Sequence, residues 1–240
     1  MALPEAVLFD VDFTLCKPGP LLGPERYRDA GRRYGLTLEP DLYEQARAAA
    51  FEDLRHHPEL DHDEEVWIRF TEDIVHGMGG TGPAARSVAV EITRAWEQHE
   101  NFELYDDSLP VLRAVKAAGL KIALVSNTSR DLNNFVRHHA IAVDAVVTSR
   151  THGKVKPHPT IFHAALSLLR LEPQAAVMVG DSLADDIEGA RAVGIRAVLV
   201  DRARMYPDEV GRLETLAELP QYLGLPGGSS RIAPQPSRLP

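Results

Sequence analysis

Ala6-Val7-Leu8-Phe9-Asp10-Val11-Asp12-Phe13-Thr14-Leu15 begins as an unbroken apolar run and ends in two aspartates separated by one residue. The apolar half has the length and makeup of a short strand buried on both faces. Along a strand, side chains i and i+2 share a face, so Asp10 and Asp12 are expected to leave the strand end on the same side. Two carboxylates held together out of water cost free energy through lost hydration and mutual repulsion. A cation or a reaction that uses them offsets that cost. A strand followed by a polar turn is the reading without chemistry.

Outward from this stretch, Cys16-Lys17-Pro18-Gly19-Pro20 reads as a turn. From about Pro24 to Glu100 apolar residues recur at helical spacing. Pro24 suits a first helical position, with Tyr27, Ala30 and Tyr34 following before Gly35. Leu42, Ala46, Ala49 and Ala50 mark a second helix that runs toward Leu54 and ends before Pro58. Asp63-Glu64-Glu65 places acids where a helix dipole favours them; Val66, Trp67, Phe70, Ile74 and Val75 form the apolar face of this third helix. Pro83 opens a fourth, through Val88, Ile92 and Trp96. Helices without a strand predict a small bundle inserted after the first strand.

Beyond Pro110 the pattern alternates. Val111 to Ala118 is helical and stops at Gly119, a C-terminal cap. Lys121 to Asn127 is a buried strand with a polar end, and Ser129 to His139 is helical. Val143 to Thr148 is a strand, Pro159 to Leu169 a helix, and Ala175 to Gly180 a strand. Asp185 to Val193 is a helix capped by Gly194, and Arg196 to Val200 a last strand. The alternation implies an α/β, doubly wound parallel sheet with helices on both faces.

Composition sets outer limits. The 240 residues are 44% hydrophobic and 25% charged, with 26 Lys and Arg against 35 Asp and Glu, a net charge of −9. That is a soluble globular composition, and its acidity argues against nucleic-acid or anionic-membrane partners. The single cysteine, Cys16, excludes an intramolecular disulfide and suits a reducing cytosol. Without a local histidine, Cys16 reads as a bystander. The first residues lack a basic segment and a cleavage site, so no signal peptide is expected. No apolar run is long enough to span a bilayer, and the expected location is cytoplasmic.

In a doubly wound sheet, ligands bind beyond the carboxyl ends of the strands. Those ends carry Asp10 and Asp12, then Ser126 and Asn127, then Asp181, Ser182, Asp185 and Asp186, with Lys154 and Lys156 in a neighbouring loop. Each alone is an ordinary loop residue or helix cap. Together, Asp10, Asp12 and Asp181 resemble a hard-cation site, and Mg2+ favours a few carboxylates, waters and a substrate phosphate. Carboxylates beside a lysine suit phosphoryl transfer, in which a carboxylate serves as nucleophile and cations offset charge on the phosphoryl oxygens.

Asp10-Val11-Asp12-Phe13-Thr14 resembles the first motif, DxDxT, of haloacid dehalogenase-like hydrolases. Ser126-Asn127 resembles the second motif, and Lys156-Pro157-His158-Pro159-Thr160-Ile161-Phe162 the third. Gly180-Asp181-Ser182-Leu183-Ala184-Asp185-Asp186 resembles the fourth. The motifs occur in family order and span Ala6 to Val200. The resemblance implies a Rossmann-like core over residues 1–17 and 103–225 and an all-helical cap over 18–102; the tail over 226–240, rich in Gly, Ser, Pro and Arg with few apolar residues, is expected to be disordered. It implies that Asp10 attacks phosphorus and that Asp12 protonates the leaving alcohol and then activates water. Asp10, the backbone carbonyl of Asp12, and Asp181 would hold Mg2+. Ser126 and Asn127 would bind phosphoryl oxygens. Lys156 would stabilise Asp10, Asp186 would orient Lys156 or a metal-bound water, and Asp185 would stand behind them. An acid at position 12 favours hydrolysis of a small phosphomonoester over dehalogenation. A sugar-phosphate phosphomutase, or a module that accepts phosphate without turnover, are the alternatives.

Two residues depart from the family pattern. Phe13 stands where a small or polar residue is common, and His158 replaces an acid. Other signals carry less. Gly77-Met78-Gly79-Gly80-Thr81-Gly82 fits GxGxxG but follows a helix, not a strand. Ser182 sits as in a nucleophile elbow, but no histidine follows His163 to serve it. The pairs His56-His57 and His138-His139 read as solvated surface residues. Arg26, Arg28, Arg32 and Arg47 are possible anion contacts from the cap, most of them expected to be surface charges.

Overall fold

The computed structural model describes residues 3–54 and 60–225. The expected disordered tail, the His56-His57 pair and the expected stop before Pro58 lie outside the described residues. The chain begins with strands β1 (Ala6–Phe9) and β2 (Cys16–Pro18). Helices α1 (Pro24–Arg33), α2 (Tyr43–Leu54), α3 (Glu64–Gly77) and α4 (Pro83–Trp96) follow. Then come β3 (Phe102–Leu104), α5 (Ser108–Ala117), β4 (Lys121–Ser126), α6 (Leu132–His138) and β5 (Ala145–Thr148). The rest comprises α7 (Ser149–His152), α8 (Pro159–Leu169), β6 (Ala176–Gly180), α9 (Gly189–Ala192), β7 (Arg196–Leu199) and α10 (Leu219–Tyr222).

The main sheet is five-stranded, in the order β5-β4-β1-β6-β7, and every pairing in it is parallel. The chain builds outward from β1 through β4 to β5, then crosses to the other side of β1 for β6 and β7. That reversal opens a crevice at the carboxyl end of β1. Alternation assigns the strand residues to two cores. Val7, Phe9, Ile122, Leu124, Val177 and Val179 pack on one face. Ala6, Leu8, Ala123, Val125 and Met178 pack on the other with Ile161, Phe162 and Ile187. Val7, Leu8 and Phe9 have no exposed surface, and burying each such side chain stabilises by about 1.5–3 kcal/mol. β1 is therefore the apolar centre of the sheet, and the residues after it are anchored.

The four helices between β2 and β3 have their own core of Tyr27, Leu38, Tyr43, Ala46, Ile74, Val75, Met78, Val88 and Ile92. Asp63 caps α3 by accepting the Glu65 N–H at 2.9 Å. α2 and α3 approach closely at Gly77, where an added Cβ would lie 2.5 Å from the Ala46 Cβ. The architecture is thus α/β and Rossmann-like with an inserted helical bundle, and no described helix is long and apolar enough to cross a membrane.

Three local expectations need correction. Cys16-Lys17-Pro18 is not a turn but β2, paired antiparallel with β3 at Cys16↔Leu104 and Pro18↔Phe102. Its partner lies beyond the whole bundle, so no local periodicity announces it. The helix expected from Ser129 starts at Leu132, because Asp131 caps it and the Thr128 hydroxyl holds the Arg130 N–H at 3.1 Å in a preceding loop. The helix expected from Asp185 opens as a π-helical turn over Leu183–Glu188 before α9; such wider turns recur at functional sites.

Candidate active site

β1 ends at Phe9, and the Asp10 N–H still donates to the Val179 carbonyl at 2.9 Å. This fixes Asp10 at the crevice, where it is 6% exposed. The Lys156 ammonium donates to Asp10 Oδ1 at 2.5 Å and to Asp186 Oδ1 at 2.6 Å. Asp186 reaches inward from the π-helical turn, and its Oδ2 accepts the Ser182 N–H at 3.0 Å. Gly180 makes room for it: a Cβ there would lie 2.1 Å from Asp186 Oδ2. Asp181, half-buried, accepts from the Thr14 hydroxyl at 3.1 Å. Thr14 is held in turn by Arg202, which donates to its carbonyl at 3.1 Å, pairs with Asp107 and stacks on Tyr105.

Carboxylate oxygens of Asp10, Asp181 and Asp186 lie within 4.8 Å of one another. Burial pushes the Asp10 carboxyl up to about 7, with Lys156 pulling against it and Asp186 and Asp12 adding to it. Burial, then Asp10 and Asp186, push Asp181 well above the usual range. Burial opposes the charge on Lys156, but Asp10 and Asp186 outweigh it and hold the ammonium protonated. Three carboxylates facing one ammonium leave excess negative charge on hard oxygen donors, and a divalent cation such as Mg2+ fits that set.

The pair that opens the sequence divides. The strand ends before Asp10, so its alternation does not carry through Asp12, and the two side chains go to different partners. Asp12 Oδ1 accepts from the guanidinium of Arg130, and the Cys16 thiol lies 3.5 Å from the same oxygen. Cys16 is fully buried; burial first, then the Asp12 charge, push its thiol far above the ordinary value, which leaves it unreactive. Ser126 is 1% exposed at the end of β4. The Asn127 side chain clamps the Lys156 backbone, accepting its N–H at 2.6 Å and donating to its carbonyl at 3.0 Å. The visible work of Asn127 is thus to hold Lys156, not to face the crevice with both ends of its amide. The Asp185 N–H donates to the Ser182 hydroxyl at 3.1 Å, so Ser182 is a helix cap.

The departures have local accounts. Phe13 has a positive φ of 65°, a conformation that costs a non-glycine residue about 1 kcal/mol or more. Its ring centroid lies 5.8 Å from the guanidinium carbon of Arg47 in α2. His158 caps α8 through Thr160. Arg26 pairs with Glu91, and Arg28 and Arg32 pair with neighbours on α1. Lys154 lies outside the carboxylate cluster and pairs with Asp61 at 2.5 Å. His139 is not fully solvated, since its Nε2 is buried without a hydrogen-bond partner among the described residues. Sequence reading missed Arg130, placed within an apparent helix, and Gly180, whose need for space appears only when Asp186 folds back over it.

Residues 4–194 match a family described as haloacid dehalogenase-like hydrolase. The chain belongs to the haloacid dehalogenase-like hydrolases. Among relatives of this hydrolase is haloacid dehalogenase-like hydrolase domain-containing protein 3 of Bos taurus, 31% identical over 204 residues, 80% of each chain. Another is the glyceraldehyde 3-phosphate phosphatase of Methanopyrus kandleri, 30% identical over 207 residues, 83% of this chain and 85% of that one. A HAD phosphatase from Thermococcus onnurineus superposes with a TM-score of 0.62 at 25% identity, covering 92% of this chain and 98% of the other. A 2-haloacid dehalogenase from Pseudomonas syringae shares the fold as well, with a TM-score of 0.61 at 23% identity over 92% and 99% of the two chains. The fold therefore does not separate phosphatase from dehalogenase, and the site has to.

Proposed function

We propose that this hydrolase is a Mg2+-dependent phosphatase acting on a small phosphomonoester through an aspartyl-phosphate on Asp10. The observation that carries the reading is the Asp10, Asp181 and Asp186 cluster, with the Lys156 ammonium paired to Asp10 and Asp186. Asp10 attacks phosphorus, and Asp12 gives its proton to the departing alcohol oxygen. Water then attacks the phosphorus of the aspartyl-phosphate while Asp12 takes the water's proton, releasing inorganic phosphate and restoring Asp10. Lys156 orients Asp10 and offsets phosphoryl charge, with Asp186 and Asn127 orienting Lys156 and Asp185 behind them. The Ser126 hydroxyl and one remaining Asn127 N–H receive phosphoryl oxygens. Asp10, the Asp12 carbonyl and Asp181 would hold Mg2+, which supplies further positive charge to the phosphoryl oxygens. The carboxyl group at position 12 is the proton donor that an alkoxide leaving group requires and a halide does not. The phosphatase name carried by the Methanopyrus kandleri relative supports the same choice.

In this reading residues 1–17 and 103–225 form the catalytic core, and 18–102 form a cap that shields the crevice from water. Arg47 of this cap lies over the Phe13 ring of the first motif. Purified protein should release phosphate from p-nitrophenyl phosphate with Mg2+ and stop when EDTA is added. Asp10→Asn should lower kcat by at least ~10³-fold without changing the circular dichroism. Activity that survives EDTA, or full activity in Asp10→Asn, would falsify the proposal.

A further inference from the structure

Arg130 is the largest fully buried side chain among the described residues. Its guanidinium donates to Asp12 Oδ1 and, at 3.4 Å, to the Trp96 carbonyl. It stacks on Phe102 at 3.6 Å, and its Nε is buried without a partner among the described residues. A buried guanidinium with an unsatisfied N–H is costly, and a buried ion pair replaced as a whole by apolar side chains is often neutral or stabilising to a fold. Stability alone therefore does not call for an Arg130–Asp12 pair at this place. Of the described residues, none is hydrogen-bonded to Asp12 Oδ2, and the Asp12 side chain is 20% exposed against 1% for Arg130.

We propose that Arg130 is a positioning residue for proton transfer by Asp12, an inference that rests on the acid/base role given to Asp12 above. By fixing Oδ1, Arg130 leaves Oδ2 as the oxygen that carries the proton. When the bond between phosphorus and the leaving oxygen breaks, the Oδ2 proton passes to that oxygen. The resulting carboxylate is a full ion pair with the guanidinium. The interaction is therefore stronger after the transfer than before it, as an accelerating contact must be. Trp96 and Phe102 flank the return of the chain from the helical insert, so the same guanidinium ties the proton donor to the insert's linker.

The test uses the dependence on leaving group. An alkoxide needs a proton to depart; p-nitrophenolate does not. The kcat/KM ratio for an alkyl phosphate over p-nitrophenyl phosphate should fall by about 10²-fold in Asp12→Asn. In Arg130→Met it should fall at least ~10-fold, with KM for either ester within a factor of about three. An unchanged ratio in Arg130→Met, with the ratio lowered in Asp12→Asn, overturns the proposal and makes Arg130 a packing residue. An unchanged ratio in Asp12→Asn overturns the acid/base assignment itself. If Arg130→Met does not fold, Arg130→Lys carries the same test. Lysine keeps the charge but not the planar fork; a lowered ratio supports positioning and a wild-type ratio overturns it.

Discussion

His139 and Lys156 show how surroundings decide what a buried charge does. Lys156 lies between two acids, and their charges outweigh the penalty of its burial. Among the described residues, the charged neighbours of His139 are all basic. Its ring packs against Phe135 at 4.5 Å and His138 at 4.7 Å; His99 reaches His138 from the linker, and Arg130 contributes a positive charge. Burial first, then His138, His99 and Arg130, push its imidazolium down from 6.5 to about 4. A folded-state value below the unfolded one means that the unfolded chain binds the extra proton first. The stabilisation is therefore present above pH 6.5 and is lost as pH falls through about 4. Melting temperatures measured from pH 7 to pH 4 should fall more steeply for the wild type than for His139→Leu. Parallel curves would show that the fold does not lower the proton affinity of this imidazole.

Elements transmit such local demands to the site. Gly180 ends β6 where Asp186 folds back from the π-helical turn. Gly180→Ala should push Asp186 away from Lys156 while the strand hydrogen bonds remain. A misplacement of about 1 Å at a reacting centre lowers rate ~10²-fold, so kcat should fall by that order with an unchanged circular dichroism spectrum. Wild-type kcat would show that Asp186 does not orient Lys156. The main strands were legible in the sequence as short apolar runs, as in β1, and the bundle helices by apolar residues at helical spacing, as in Trp67, Phe70 and Ile74 of α3. That Asp10 and Asp181 lie near one another was legible because strand ends of a parallel sheet converge. What was not legible depends on partners remote in sequence. β2 is defined by β3, Arg130 by Asp12 and Phe102, and the inward turn of Asp186 by the absence of a side chain at Gly180.

On the scale of the whole molecule, the insert meets the core at several places among the described residues. One is the β2–β3 ribbon. Another joins residues 60–64 to the stretch 149–155. There Val155 N–H donates to the Leu60 carbonyl at 2.8 Å and His62 N–H to the Gly153 carbonyl at 2.9 Å. The His62 ring lies 2.9 Å from the Ser149 hydroxyl, and Lys154 pairs with Asp61. Exposed ion pairs contribute only about 0–1 kcal/mol each. Asp61→Ala with His62→Ala should therefore leave the melting temperature within a few degrees. The Val155 amide should exchange its hydrogen about tenfold faster, as local opening becomes easier. Unchanged exchange would show that the backbone contacts alone hold this junction.

The ribbon has one more consequence. Gly19 N–H donates to the Asn101 carbonyl at 2.8 Å, directly beyond the β2–β3 pairing. The two ends of the helical insert therefore leave the core side by side, and a change of length inside the bundle need not move either end of the stem. Asp10, Asp181 and Asp186 all lie outside the insert. Evolution, or a designer, can thus graft a different bundle onto the same two-strand stem and alter what reaches the crevice without rebuilding the chemistry beneath it.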